Sequence, residues 1–176
     1  SKGVPQLLDA VQILRAEIPD LHLHIAGAGA GEESQRIVQR IEELSANVTW
    51  HGQMPPEQLA ELFRRSRVMV LPSFYEGLPL VLVEAIACGC RAVATDLPGI
   101  RKIADGIPRV VELVPLPQMQ SVDQPIRNEL PSFATHLCEG VRKALSQKGL
   151  HLDTSLTGPF TWGEVFSRIE HIWRKL

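Results

Sequence analysis

Two glutamates, Glu76 and Glu84, stand in the stretch FYEGLPLVLVEAIACGC at residues 74–90, which is otherwise almost wholly apolar. A carboxylate is costly to desolvate unless something hydrogen-bonds it, so acids in this setting point to a bound ligand or to an ion pair. An ionised carboxylate accepts several hydrogen bonds at once, which suits the hydroxyls of a polyhydroxylated molecule. If Pro79 is the first helical residue, the apolar run around Glu84 predicts a helix buried on nearly all sides, with Glu84 alone inside it. Glu84 then lies roughly 8 Å along the axis from Pro79, and its side chain leans back toward the helix N-terminus.

That N-terminus offers free backbone N–H groups near Leu80 and Val81, where the helix dipole favours an anion. A nucleotide-diphosphate sugar laid across it would put its diphosphate on those amides. Glu76 would then accept from the sugar hydroxyls and Glu84 from the two ribose hydroxyls. Gly77 and Leu78 form the turn between them, with the glycine allowing close backbone approach. A competing reading makes Glu76 a solvated loop residue and pairs Glu84 with a basic neighbour such as Arg91. The residue types alone leave both readings open.

These side chains must be held by an alternation of helices and strands. Pro5 followed by Leu7, Leu8, Val11 and Leu14 predicts a first helix, and LHLHIAG a strand. Ile37, Val38, Ile41 and Leu44 mark a second helix, before the strand NVTWHG. PPEQLAELFRRS, LPLVLVEAIA and PGIRKIAD read as helices, separated by the strands RVMVLPS, RAVAT and RVVELVPL. Fully apolar strands between helices indicate a parallel sheet covered on both faces, a doubly wound, Rossmann-like α/β fold. Residues 115–130 hold several prolines and no period, and predict a loop. Helices around residues 131–147 and 161–175 close the chain, the latter opened by the capping box Thr161–Glu164. Ligands in such sheets settle at the carboxyl ends of strands, which places the candidate junctions at Gly27–Gly31, Gly52–Pro55, Pro72–Leu78 and Thr95–Gly99.

Composition narrows the classes of function. The chain has 176 residues, 44% of them hydrophobic, enough for one domain with a closed core. Eighteen Lys plus Arg against twenty Asp plus Glu give a net charge of -2 with no long basic block, which argues against a nucleic-acid partner. Three cysteines, two of them in Cys88-Gly89-Cys90, suit neither a disulfide framework nor a metal knuckle and fit a reducing cytoplasm. His22 and His24 share a strand face without a third ligand, and no Asp-x-Asp occurs, so no metal site is expected. The longest apolar stretch falls well short of a membrane span. The opening SKGVPQLLDAV has no secretory signature and reads as a piece of something longer.

With these residues in place, the chain resembles the C-terminal domain of family-4 retaining glycosyltransferases of the GT-B fold. Lys2-Gly3, HIAGAG, NVTWHGQM, LFRRSRVMVLPSFYEGLPLVLVEAIACGC and RAVATDLPGI carry the resemblance, in shared order and spacing over roughly three-fifths of the chain. It implies a domain, residues 1–176, that binds a UDP- or GDP-linked sugar without metal or cofactor. The acceptor glycan or lipid-linked sugar would be held by an N-terminal domain outside this chain, so these residues alone would transfer little. It also implies that Lys2 stabilises the leaving diphosphate, with Glu76 beside the transferred sugar. Glu84 would hold the ribose, and Gly52, Gln53 and Met54 would read the base. Gly27 reads first as a tight turn whose backbone helps line the cleft.

The family's domain begins with a strand and an arginine ahead of the Lys-Gly pair, and these residues lack both. The resemblance therefore implies a gap, a substitute strand or upstream residues in the middle of the sheet. After Asp105 the family's glycine-rich stretch is replaced by GIPRVVELVPLPQMQSVDQP, and no contacts are carried over there. Three other readings compete. A nicotinamide-dependent dehydrogenase fails because Glu32 occupies the third fingerprint position and no acid ends the next strand. A non-catalytic nucleotide-sugar sensor or scaffold of the same fold stays open. Peripheral association with the inner face of a membrane rests on the basic last helix FSRIEHIWRKL, but amphipathic surface helices normally face a core, so packing on its own domain is the favoured account.

Overall fold

A computed structural model describes residues 2–29, 31–44, 46–147 and 158. The predicted helix over 161–175, with its capping box and the membrane reading built on it, lies outside the described residues. Within them the helix–strand alternation is as the sequence predicts. Helix α1 (Val4–Arg15) leads to β1 (Leu23–Ala26), then come α2 (Gly31–Glu43), β2 (Val48–Gly52) and α3 (Pro56–Arg65). The second half runs β3 (Val68–Leu71), α4 (Leu80–Ala87), β4 (Arg91–Thr95), α5 (Pro98–Gly106) and β5 (Val111–Val114), and α6 (Leu130–Ser146) follows.

All pairings among β1 to β5 are parallel, but they form two sheets rather than one, β1-β2 and β3-β4-β5. Between them lies a cavity of about 960 Å³, bounded by β1 on one side and β3 on the other, with side chains of α1, α3 and α6 closing its faces. Of the three arrangements implied for the middle of the sheet, the described residues therefore show the gap. No described strand bonds the outer edge of β1 or of β3.

Each strand of the larger sheet sends alternate side chains to opposite layers. Val93 and Val114 join Ala10, Leu14, Phe133 and Leu137 of α1 and α6, while Ala92 and Ala94 join Leu82 and Ile86 of α4 and Ile100 and Ile103 of α5. The smaller sheet is backed by Leu8 of α1 and Ile41 of α2. Burying these aliphatic groups supplies the main driving force, at about 25 cal/mol per Å² of apolar surface removed from water.

Two expectations need correction. Residues 115–130 are not a plain loop: β6 (Met119–Ser121) and β7 (Gln124–Pro125) pair as a short antiparallel hairpin, and Arg127–Glu129 form one 3-10 turn. Strands of two and three residues produce no readable period, and Ile126 N–H closes the hairpin on the Gln118 carbonyl at 2.8 Å. Helix α4 is likewise not buried all round. Pro79 is its N-cap rather than its first residue, and Leu80, Glu84 and Ala87, one stripe at helical spacing, are exposed.

Candidate functional site

Gly3 fixes where Lys2 lies. It takes the left-handed conformation at φ 66° as N-cap of α1, and an added Cβ would sit 2.0 Å from the Pro72 carbonyl oxygen, so only glycine fits. Pro72 directly follows β3, so α1 begins against the carboxyl end of that strand. Lys2, one residue before, reaches across and its Nζ donates to Glu76 Oε1 at 2.8 Å. Glu76 is mostly covered, with 16% of its side chain exposed, whereas Lys2 is 64% exposed. The pair joins two residues 74 positions apart, and Lys2 is tied into the fold rather than frayed.

Beyond Glu76 the turn Gly77–Leu78 is exposed and runs into α4. A Cβ added to Gly77 would meet nothing within 4 Å, so its open side faces free space. The N–H groups of Leu80 and Val81 have no acceptor among the described residues, as the first turn of a helix dictates, while Leu82 N–H bonds the Pro79 carbonyl at 3.0 Å. Lys2 and these amides both supply positive potential near the same turn. At the carboxyl ends of β3 and β4, Ser73 Oγ and Thr95 Oγ1 are buried with no partner among the described residues.

Glu84 stands apart from that pair. Its carboxylate is on the exposed stripe of α4 and has no ion pair or hydrogen bond among the described residues. The desolvation expected for it is absent, since solvent reaches it. The alternative pairing with Arg91 is not formed either; Arg91 Nη1 donates to the Arg109 carbonyl at 2.9 Å. Glu84 is thus available to an incoming hydrogen-bond donor.

The other predicted residues gather at the ends of β1 and β2. Gly27 N–H bonds the Gly52 carbonyl at 2.7 Å, and the Gly27 carbonyl accepts from Trp50 Nε1 at 3.0 Å. Gly27, Gln53, Met54 and Val81 line one end of the cavity between the sheets, but Lys2, Glu76, Gly77 and Glu84 do not. The surface of that cavity is mostly apolar, drawn from both strands and helices, which sets it apart from the polar turn around Glu76. Gly99, which ends the predicted Thr95–Gly99 junction, sits in the first turn of α5 against the Gly77 carbonyl, a contact that its place in sequence does not reveal.

Away from this region, His24 Nδ1 and His51 Nε2 share a hydrogen bond at 3.0 Å, and His22 Nε2 meets Thr49 Oγ1 at 2.8 Å. Burial, then His22, His51 and Arg65, lower the pKa of His24. Among the described residues no three acidic, histidine or cysteine side chains gather to hold a metal ion. The three cysteines are free, and burial pushes the Cys90 thiol up to about 11.

Compared with known proteins, residues 1–106 match the family of glycosyl transferases group 1. The chain belongs to this family. Among curated relatives, a D-inositol 3-phosphate glycosyltransferase of Paenarthrobacter aurescens (strain TC1) is 38% identical over 110 residues, 60% of this chain and 27% of the relative. An alpha-maltose-1-phosphate synthase of Mycolicibacterium smegmatis is 28% identical over 189 residues, covering 99% of this chain and 45% of the relative. The chain thus spans 27% and 45% of the length of these two relatives. Among solved structures, the pneumococcal O-GlcNAc transferase GtfA in complex with UDP and GlcNAc aligns over 99% of this chain and 33% of its own, with TM-score 0.70 and 18% identity. Sucrose-phosphate synthase of Thermosynechococcus elongatus aligns over 99% of this chain and 42% of its own, with TM-score 0.60 and 25% identity. These are glycosyltransferase folds, and the doubly wound α/β reading stands; among the described residues no helix is long and apolar enough to cross a membrane.

Proposed function

We propose that this chain is the donor-binding, C-terminal domain of a family-4 retaining glycosyltransferase, taking a nucleotide-diphosphate sugar for transfer to an acceptor held by residues outside it. The observation that carries the reading is the Lys2–Glu76 contact beside the free amides of α4. It brings a cation and a hydroxyl acceptor together where a diphosphate and its sugar would meet.

In this mechanism the diphosphate lies on the Leu80 and Val81 amides with Lys2 Nζ against it, and the charge that grows as the glycosidic bond breaks is met by groups already in place. Glu76 accepts from hydroxyls of the transferred sugar while keeping Lys2 in range. Gly77 and Leu78 shape the wall around it, and the open side of Gly77 gives the sugar room. Glu84 takes the two ribose hydroxyls, and Gly52, Gln53, Met54 and Gly27 line the end toward the base. Retention follows from front-face attack by the acceptor, with positioning and leaving-group stabilisation carrying the rate. Positive charge comes from Lys2 and the helix amides, with no metal in the scheme. The acceptor is a glycan or lipid-linked sugar, and transfer takes place on the cytoplasmic side.

Calorimetry with UDP-hexoses and GDP-hexoses tests this. The chain should bind one nucleotide class, and Glu84→Ala should weaken that binding by about tenfold or more, as expected when a two-point charged hydrogen bond is lost. Equal affinity in the variant would remove Glu84 from the site, and no binding to either class would end the donor-domain reading.

A further inference from the structure

We infer that Gly99 is a positioning residue for the turn that carries Glu76, holding the Gly77 peptide where the sugar end of the donor is gripped; this rests on the proposed donor-binding function. An ideal Cβ on Gly99 would fall 1.6 Å from the Gly77 carbonyl oxygen, 2.8 Å from its carbon and 3.5 Å from Leu78 N. No side chain fits in that space. The glycine is required by the contact and not by its backbone angles, since its φ is not in the left-handed region.

The contact is a hard stop because α5 cannot retreat. Ile100 and Ile103 are fully buried against Leu82, Val83, Ile86 and Leu97. The segment before the helix is pinned as well. Asp96 N–H bonds the Val114 carbonyl at 2.8 Å, Leu97 N–H the Thr95 carbonyl at 2.8 Å, and Arg101 forms an ion pair with Asp96. The other partner is the softer one, because Gly77 is exposed and a Cβ on it would meet nothing within 4 Å. A methyl group at position 99 therefore moves the Gly77 peptide, and with it the neighbouring Glu76, rather than the helix. Displacing a gripping group by about 1 Å is enough to cost up to about a hundredfold in a positioned reaction. Gly99 acts through Gly77 and touches no ligand itself.

The test is amide NMR of the chain combined with calorimetry against uridine diphosphate and UDP-hexoses, and their guanosine counterparts. In Gly99→Ala the Gly77 and Leu78 resonances should shift without ligand. Affinity for the nucleotide sugar should fall by about tenfold or more, and by clearly more than affinity for the bare diphosphate, which loses only what Lys2 contributes as it follows Glu76. A merely structural role would lower both affinities together, and that result, or unmoved Gly77 and Leu78 resonances, overturns the inference. Should Gly99→Ala not fold, Ile100→Val takes its place. Removing one methyl from the packing that holds α5 lets the helix shift against the turn, and the same two resonances must move. If the wild-type chain binds no nucleotide sugar, the donor-binding reading fails by itself, and the inference is judged on those resonances alone.

Discussion

Lys2 and Glu76 meet where one partner is wet and the other mostly covered, at 64% and 16% side-chain exposure. An ion pair with so exposed a lysine contributes little to stability, about 0–1 kcal/mol, so its worth has to be sought in binding. Glu76→Gln keeps the shape and removes the charge. We expect urea unfolding to shift by no more than about 1 kcal/mol, while nucleotide-sugar affinity falls about tenfold or more because charge-assisted bonds to hydroxyls are weakened. A variant as stable as wild type that binds equally well would place Glu76 outside the site. His24 makes a different kind of prediction. Its pKa is lowered below the ordinary 6.5, first by burial and then by His22, His51 and Arg65. The unfolded chain therefore takes up the proton first as pH falls. The stabilising effect is complete above about pH 6.5 and is lost as pH drops through the lower, folded value. Unfolding free energies at pH 7.5 and 5.5 should differ more in wild type than in His24→Gln, and parallel losses would assign the pH dependence to other groups.

Helix α4 shows what packing adds to pattern. Leu80, Glu84 and Ala87 form its open stripe, whereas Leu82, Val83, Ala85 and Ile86 are buried. Ala87→Gln should then change stability by less than about 0.5 kcal/mol, and Ile86→Ala should cost about 2–5 kcal/mol by removing fully buried methyl groups. Chemical denaturation distinguishes them, and similar losses would mean that the stripe is covered. In sequence, seven of the eight residues of this helix are apolar, so periodicity could not tell which face stays wet. That is why Glu84 reads as buried from its neighbours and yet stands in solvent. Elsewhere the punctuation is plain: Pro5, Pro56 and Pro98 open helices, and the apolar runs between them become strands. The two short strands at residues 119–125 were illegible because nothing repeats within so few residues. The candidate site was legible by residue type, since Glu76, Glu84 and the amides of α4 all lie in one stretch. The meeting of Lys2 with Glu76 was not, for no local rule links positions 74 apart, and it rested on resemblance until the backbone brought Gly3 against Pro72.

Among the described residues the five parallel strands divide their backbone bonding unevenly between two sheets. β4 is bonded on both edges, by β3 and by β5, and its residues Ala92, Val93 and Ala94 are fully buried. β1 is bonded only by β2 among the described residues, and its other edge borders the cavity of about 960 Å³. In a parallel pair successive N–H groups point to opposite edges. Leu23 and Gly27 donate toward the β2 side, to Asn47 and Gly52, so the N–H groups of His24 and Ala26 point the other way, toward the cavity. Local opening needs no global unfolding where an amide already lacks a covering strand, whereas an amide between two bonded neighbours exchanges only when the whole fold opens. Hydrogen exchange should therefore be slowest at Val93 and Ala94, intermediate at Leu23, and fastest at His24 and Ala26. Protection of His24 and Ala26 equal to that of Val93 would show that residues outside the described set, or a second chain, complete the sheet in solution.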